Sequence, residues 1–319
     1  MASGKKRAKS KQSASKAAKK ASALQERVEA LQDRVEDEVA PASPPRLAEL
    51  LRVRPGLRLA DVDPRSTPGF RGTKADGAAA LAAGAERLSE LQERLFADAA
   101  TGGRSVLLVV QGMDTAGKGG VMRHVVGAVD PQGVRITAFK APTPEELQHD
   151  FLWRIRRALP KPGQIAVFDR SHYEDVLVVR VHDLVPRAVW QRRYATINRF
   201  ERSVVGQGCV MVKVMLHVSR QEQKDRLMQR LERADKYWKY NPGDVDERLR
   251  WDDYRQAYEA ALTRCSTDEA PWYVVPSDRK WYARWAVQQL LLDALEDIDP
   301  QWPPARFDVE HEKARLAAT

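Results

Sequence analysis

Cysteine is scarce in this chain: of 319 residues only Cys209 and Cys265 carry a thiol. Neither has a partner at metal-ligand or disulfide-framework spacing, which excludes a zinc module and suits a reducing, cytoplasmic compartment. Long apolar runs are missing too. None reaches the ~18 residues that cross a bilayer, and the N-terminus lacks the apolar core of a secretory signal, so no membrane partner is expected. A basic body is also absent. The net charge of +9 arises in residues 1–22, which hold eight Lys or Arg and no acid, while the remainder carries 45 basic against 44 acidic residues. The overall charge is therefore not the footprint of a nucleic-acid-binding domain. Residues 1–22, without a large apolar side chain after Met1, are expected to be disordered and to add salt-sensitive attachment to polyanions. Leu24, Val28, Leu31 and Val35 recur at helical spacing, a segment too short for a stable coiled coil alone. Ala40-Pro41-Ala42-Ser43-Pro44-Pro45 then breaks the chain, setting residues 1–45 apart from a body of 46–319.

What the chain does have is Val106-Leu107-Leu108-Val109-Val110-Gln111-Gly112-Met113-Asp114-Thr115-Ala116-Gly117-Lys118-Gly119-Gly120. An apolar strand feeds a glycine-rich turn, a lysine and a helix, the order that builds a phosphate cradle. Backbone N–H groups from Gly112 through Ala116, Gly117, Gly119 and Gly120 are expected to face the phosphates, with Lys118 reaching their outer oxygens. One position departs from the usual pattern. Gly119 stands where a Ser or Thr would hold magnesium, and the loop instead carries a carboxylate, Asp114. A negative charge among phosphates is tolerable only with a cation between them, so Asp114 reads as a replacement metal ligand.

Four further apolar runs, Val134–Phe139, Gln164–Phe168, Val210–Leu216 and Trp272–Val275, read as buried parallel strands. Helical patterns at Val121–Val129, Pro144–Leu159, Pro186–Val205, Arg220–Arg230 and Asp244–Leu262 separate them, with longer helices at Ala75–Ala99 and Arg279–Glu296. The alternation implies an α/β fold: a parallel five-stranded sheet between helices, with ligands at the carboxyl ends of the strands.

A second chemical segment is Ile165-Ala166-Val167-Phe168-Asp169-Arg170-Ser171-His172-Tyr173-Glu174. A strand that ends in aspartate beside a phosphate loop can place that carboxylate at the phosphate-bound metal, so Asp114 and Asp169 are expected to share a hydrated Mg²⁺. Arg170 is expected to reach the transferring phosphoryl group, and Glu174 adds a carboxylate one turn on. His172 is read as a partly buried, hydrogen-bonded histidine, because an acceptor that is already anionic needs no strong base. The third segment is basic: Arg226, Arg230, Arg233, Lys236 and Lys239, spaced by four or three, would share one helical face. Asn241-Pro242-Gly243 and an aromatic-acidic stretch with Trp251, Asp252, Asp253, Tyr254 and Tyr258 follow. Together, about 226–258 reads as a helical lid that excludes water. Lys140, in Phe139-Lys140-Ala141-Pro142-Thr143, is expected to face the same crevice.

These motifs, with Asp175-Val176-Leu177-Val178-Val179-Arg180-Val181-His182 and Trp238-Lys239, resemble the family-2 polyphosphate kinases from about Arg52 to Tyr282. The resemblance implies a P-loop kinase fold related to thymidylate kinase and Mg-dependent transfer of the terminal phosphoryl group of inorganic polyphosphate to a nucleotide, with Mn²⁺ as an alternative metal. It assigns catalysis to Asp114, Lys118, Asp169, Arg170 and Glu174, the metal to Asp114 and Asp169, and phosphates to the lid cations and Arg180. Glu174 looks like the subclass that accepts both AMP and ADP. Adenine or guanine nucleotides and a homo-oligomer, dimer or tetramer, are likewise implied. The residues alone leave ATP open as donor, since the same cations would hold a triphosphate. An ATP-dependent nucleotide or nucleoside kinase is thus the rival reading, and a non-catalytic polyanion binder the more distant one.

Overall fold

β1 (Ser105–Gly112) is buried at all eight positions, as a strand covered on both faces must be. It lies at the centre of a five-stranded sheet in the order β2-β3-β1-β4-β5, with β2 (Val134–Ala138), β3 (Ile165–Asp169), β4 (Cys209–His217) and β5 (Trp272–Pro276). Every pairing is parallel. This computed structural model describes residues 45–319, so the expectations for the basic N-terminal stretch and the short heptad helix fall outside the described residues. The chain runs from β1 outward to β2, returns to β3, and crosses β1 to β4. The order therefore reverses at β1, and a crevice opens there at the carboxyl ends of the strands. Register places Asp169 of β3 opposite Val110, two residues before the strand ends in Gly112.

Alternation along the strands divides the core into two layers. Leu107, Val109, Phe168, Met211 and Met215 face one side, covered by α6 (Arg187–Val205) and α9 (Trp251–Cys265). Val106, Leu108, Val110, Val167 and Val214 face the other, beneath α2 (Lys74–Ala97), α3 (Lys118–His124) and α10 (Lys280–Ile298). α2 starts where Thr73 and Asp76 cap each other, the Thr73 N–H donating to Asp76 Oδ2 at 2.7 Å. Its Leu88, Leu91 and Leu95 recur at helical spacing and are fully buried, each contributing about 1.5–3 kcal/mol by leaving water. The shorter helices are α1 (Leu47–Leu51), α4 (Trp153–Arg156), α5 (Val178–Val181), α7 (Arg220–Leu231), α8 (Gly243–Leu249) and α11 (Val309–Ala317). Among the described residues no helix is long and apolar enough to cross a membrane.

Three expected helices are shorter or broken. Residues 144–159 give only a 3-10 turn and the single turn α4: Thr143 and Glu146 cap each other at the start, but Asp150 takes the Leu152 N–H and so competes with a continuous helix. The stretch from Asp244 breaks at Arg250 (φ −90°, ψ 23°) into α8 and α9. The basic segment does not run on as one helical face. α7 ends at Leu231, Arg233 is extended, and residues Ala234–Lys239 form a 3-10 turn. Beyond Leu231 the sequence Glu-Arg-Ala-Asp-Lys has no large apolar side chain to hold a helix against the body. Leu91→Ala should lower the unfolding free energy by about 2–5 kcal/mol, read from urea melts, since it leaves a void between α2 and the sheet.

Candidate active site

The loop between β1 and α3 is shaped by backbone that only particular residues accept. Gly112 (φ 156°) lies so close to β4 that a Cβ would sit 2.9 Å from the Leu216 carbonyl, and Gly117 has φ 120°. Thr115 and Arg170 hold left-handed backbone at φ 61° and 62°. Strain of this kind persists where the surroundings enforce it, commonly at reacting centres. Both residues stand at the mouth of β1. Lys118 folds back over the loop, its Nζ donating to the Gly112 carbonyl at 2.7 Å and more weakly to Met113 at 3.4 Å. Burial draws its ammonium below the ordinary lysine range, although Asp114 nearby opposes the shift.

Two hollows open on this loop. The larger, about 490 Å³, is lined by Asp114, the loop from Thr115 to Gly120, Asp169, and the cations Arg226, Arg230, Arg233, Lys236 and Lys239. All five lid cations thus converge, though not by sharing one helix. The hollow also gathers residues that the sequence reading missed: Arg123 and His124 from α3, and Lys280 and Arg284 from α10. Among the described residues Arg123, Lys280 and Arg284 have no carboxylate within ion-pair distance. Burial, then neighbouring arginines, pulls Arg284 and Lys280 below their ordinary values. Cations crowded together without anions mark a place for an anion. A basic pair four residues apart at the head of a helix, Lys280 and Arg284, was the available signal.

The smaller hollow, about 260 Å³, is walled by Trp251, Tyr254 and Tyr258 of α9, by Glu174, Arg170, Asp244 and Glu247, and by Gly112 and Asp114. Asp114 lines both hollows. Its Oδ1 accepts a hydrogen bond from Arg170 Nη2 at 2.9 Å, and Glu174 and Asp114 raise the arginine above its usual value against the opposing pull of burial. Glu174 is fixed by Gln111, whose side-chain N–H donates to it at 2.9 Å while Ser171 donates to the other end of the same amide. Asp169 has no side-chain partner among the described residues, so its carboxylate is free to take a ligand in the larger hollow. His172 is hydrogen-bonded to Glu201 at 3.1 Å, as expected, and is fully rather than partly buried.

Three expected phosphate contacts are placed otherwise. Arg226 is buried, and all five of its N–H groups are committed: to Glu222, to the Thr115 and Ala116 carbonyls of the loop, and to the Ser277 and Asp278 carbonyls after β5. It clamps the loop and has no donor left for a phosphate. Lys140 follows β2, which lies two strands, or roughly 10 Å, from β1. It opens on a separate hollow with Arg135, Arg154 and Arg157. Arg180 lines none of these hollows. It stacks on Trp190 at 4.9 Å and donates weakly to Tyr194 and Gln256.

A two-carboxylate set suits a small hard cation. Mg²⁺ keeps several waters and takes one or two protein carboxylates plus phosphate oxygens, and no cluster of three or more ligating side chains exists among the described residues. Asp114 and Asp169 both border the larger hollow, so they fit such an ion.

A glycine loop and lysine at the switch point of a parallel sheet, a strand-end aspartate beside it and a cationic hollow in front define a P-loop phosphotransferase. Residues 71–303 match the family polyphosphate kinase 2 (PPK2), and the chain belongs to that family, whose reaction is a phosphoryl transfer of a kind that uses a divalent metal. The AMP/ADP-polyphosphate phosphotransferase of Meiothermus ruber is 46% identical over 254 residues, which cover 79% of this chain and 94% of that protein. The ADP-polyphosphate phosphotransferase of Rhodopseudomonas palustris is 43% identical over 236 residues, 69% of this chain and 81% of that one. The crystal structure of polyphosphate kinase 2 from Arthrobacter aurescens TC1 superposes with a TM-score of 0.84 at 56% identity, covering 86% of this chain and 98% of that chain.

Arg226→Met should cost about 3–5 kcal/mol in urea unfolding, because four buried carbonyls lose their donor. A side chain that served only phosphates would change stability by no more than about 0.5 kcal/mol.

Proposed function

We propose that the chain transfers the terminal phosphoryl group of inorganic polyphosphate to a nucleoside monophosphate or diphosphate, converting AMP to ADP and ADP to ATP, reversibly. One observation carries this reading: the two hollows differ in chemistry and meet at Asp114. The larger is cationic and no Phe, Tyr or Trp lines it, His124 being its one ring, so it offers a donor's base no aromatic wall like that of the smaller. That favours a baseless polyanion over ATP. The smaller has three aromatic side chains and four carboxylates beside a single arginine, a setting for a base and ribose whose phosphates point to Arg170 and the loop. The names of the relatives and the family accord with this division.

Phosphoryl transfer between anions is positioning and charge compensation, with little covalent work for the protein. In this scheme Lys118 and the loop N–H groups hold the donor's terminal phosphates, Arg123, Lys280 and Arg284 hold units further along, and Arg170 meets the moving phosphoryl group. Glu174, tied to Gln111, borders the acceptor. Asp114 and Asp169 would hold Mg²⁺, or Mn²⁺ in its place, which supplies neutralisation of charge on the phosphate oxygens. Residues about 226–258 act as the lid. We place the enzyme in the cytoplasm as a homo-oligomer acting on adenine or guanine nucleotides, with residues 1–45 as an accessory polyanion tether.

Incubation with Mg²⁺, long-chain polyphosphate and either AMP or ADP, followed by separation of the nucleotides, should yield ADP and ATP. Asp114→Asn and Asp169→Asn should each lower kcat by at least about 100-fold while metal-free nucleotide binding persists. Retained turnover in both would remove the metal assignment. Transfer from ATP but none from polyphosphate would overturn the donor. Glu174→Asn should depress the rate with AMP more than the rate with ADP; an unchanged ratio would separate Glu174 from acceptor choice.

A further inference from the structure

Lys213 stands in the middle of β4, on the face shared with Met211 and Met215, and is fully buried. A lysine has three N–H donors, and all three are used: to Glu201 Oε2 at 2.6 Å, to the Tyr173 hydroxyl at 3.0 Å, and to the Cys265 carbonyl at 2.7 Å. Glu201, on α6, also accepts from Tyr173 at 2.8 Å and from His172 Nε2 at 3.1 Å. Burial would raise its carboxyl, but Lys213 and His172 outweigh this and hold it below the usual range. The partners are informative. Tyr173 belongs to the turn that presents Glu174, and Cys265 ends α9, which presents Tyr254 and Tyr258. Glu174 and the two tyrosines line the smaller hollow from these two elements.

We propose that the buried Lys213–Glu201 pair, acting through Tyr173 and the Cys265 carbonyl, fixes the separation of these two elements lining the nucleotide hollow and so positions the acceptor, without affecting the donor. The inference rests on the assignment of that hollow to the nucleotide. Stability alone does not account for the pair, because apolar side chains of similar volume at such sites are often as stable or more so. What an ammonium adds is direction: three fixed bonds at one point tie β4, α6, the β3 turn and α9 together. The larger, cationic hollow has no wall in this network, so its ligand should not register the change.

Tyr173→Phe is the decisive variant. It keeps the ring packed against Trp272, at 4.7 Å between centroids, and leaves the Lys213–Glu201 bond in place, but it removes the hydroxyl that bonds both members of the pair, leaving His172 as the turn's one remaining bond to Glu201. The expected result is a rise of about tenfold in the KM for AMP and in its Kd by calorimetry, with the polyphosphate KM unchanged. Glu201→Gln should move the same two constants in the same direction. Unchanged AMP binding in Tyr173→Phe, or AMP and polyphosphate constants rising together, would overturn the proposal. Calorimetry does not depend on turnover, so wild-type protein that bound AMP without transferring phosphate would fail the proposed reaction while leaving this inference standing. Wild-type protein that bound no AMP would sink both. If Glu201→Gln does not fold, Tyr173→Phe decides alone.

Discussion

Negative charge must be brought against negative charge, and the architecture of this protein follows from that requirement. A carboxylate about 4 Å from a phosphate oxygen meets a repulsion of about 4 kcal/mol at an effective dielectric near 20. Asp114 nevertheless sits inside the phosphate loop and borders both hollows. It is compatible with two approaching anions only if positive charge comes with it. Arg170 supplies part, at 2.9 Å, and a divalent ion shared with Asp169 would supply the rest. The topology makes this possible: only at β1, where the strand order reverses, do a glycine loop and a strand-end aspartate come side by side. Left-handed backbone at Thr115 and Arg170 directly follows each of the two aspartates in the chain.

The cations divide into two kinds, and sequence spacing does not separate them. Arg226 and Lys213 have every donor bound to protein groups and neither is available to a ligand. They act as multi-pronged connectors, joining the loop to the end of β5 and β4 to the elements that line the smaller hollow. Among the described residues Arg123, Lys280 and Arg284 have no carboxylate within ion-pair distance. Arg230 lies between, paired with Asp244 at 3.2 Å while still bordering the cationic hollow. A positively charged side chain near a phosphate site is therefore not by that fact a phosphate ligand. Whether its donors are already used decides.

This division is also where the sequence was least legible. The strands, the phosphate loop, the two aspartates and the hydrogen bonding of His172 could all be read from local pattern, because a buried parallel strand is a continuous apolar run and a phosphate loop needs glycine at fixed places. Helix continuity was harder to read. The helix ending at Leu231 runs out of apolar side chains, the break at Arg250 is a change of backbone at one residue, and within 144–159 Asp150 takes the Leu152 N–H; periodicity registers none of these. Lys140 and Arg180 were placed by their neighbours in sequence, whereas their distance from the loop is set by sheet order and by Trp190 and Tyr194. Lys213 did leave a signal that went unread: a lysine inside an otherwise apolar central strand has to be paired, since an unpaired buried ammonium costs too much.

The walls of the cationic hollow differ in rigidity, and the difference fits a polymeric donor. Arg123 and Arg284 stand on α3 and α10, helices packed on the sheet. Lys236 and Lys239 stand on a 3-10 turn with no buried residue and Arg233 just before it, where Lys236 and Arg233 pair with Asp235 and hold its carboxyl down to about 2. Few buried contacts mean low local stability, the usual condition of a segment that moves when a ligand arrives. A chain of identical units has to be gripped firmly at the unit that reacts and loosely behind it, or it cannot advance after each transfer. In the proposed scheme Lys118 and the loop would grip the reacting unit, while Arg123 and Arg284 and the exposed, solvent-screened cations of 233–239 would hold the units behind it less tightly. The same protein can then hold one phosphoryl group in register with the acceptor and still release the shortened chain.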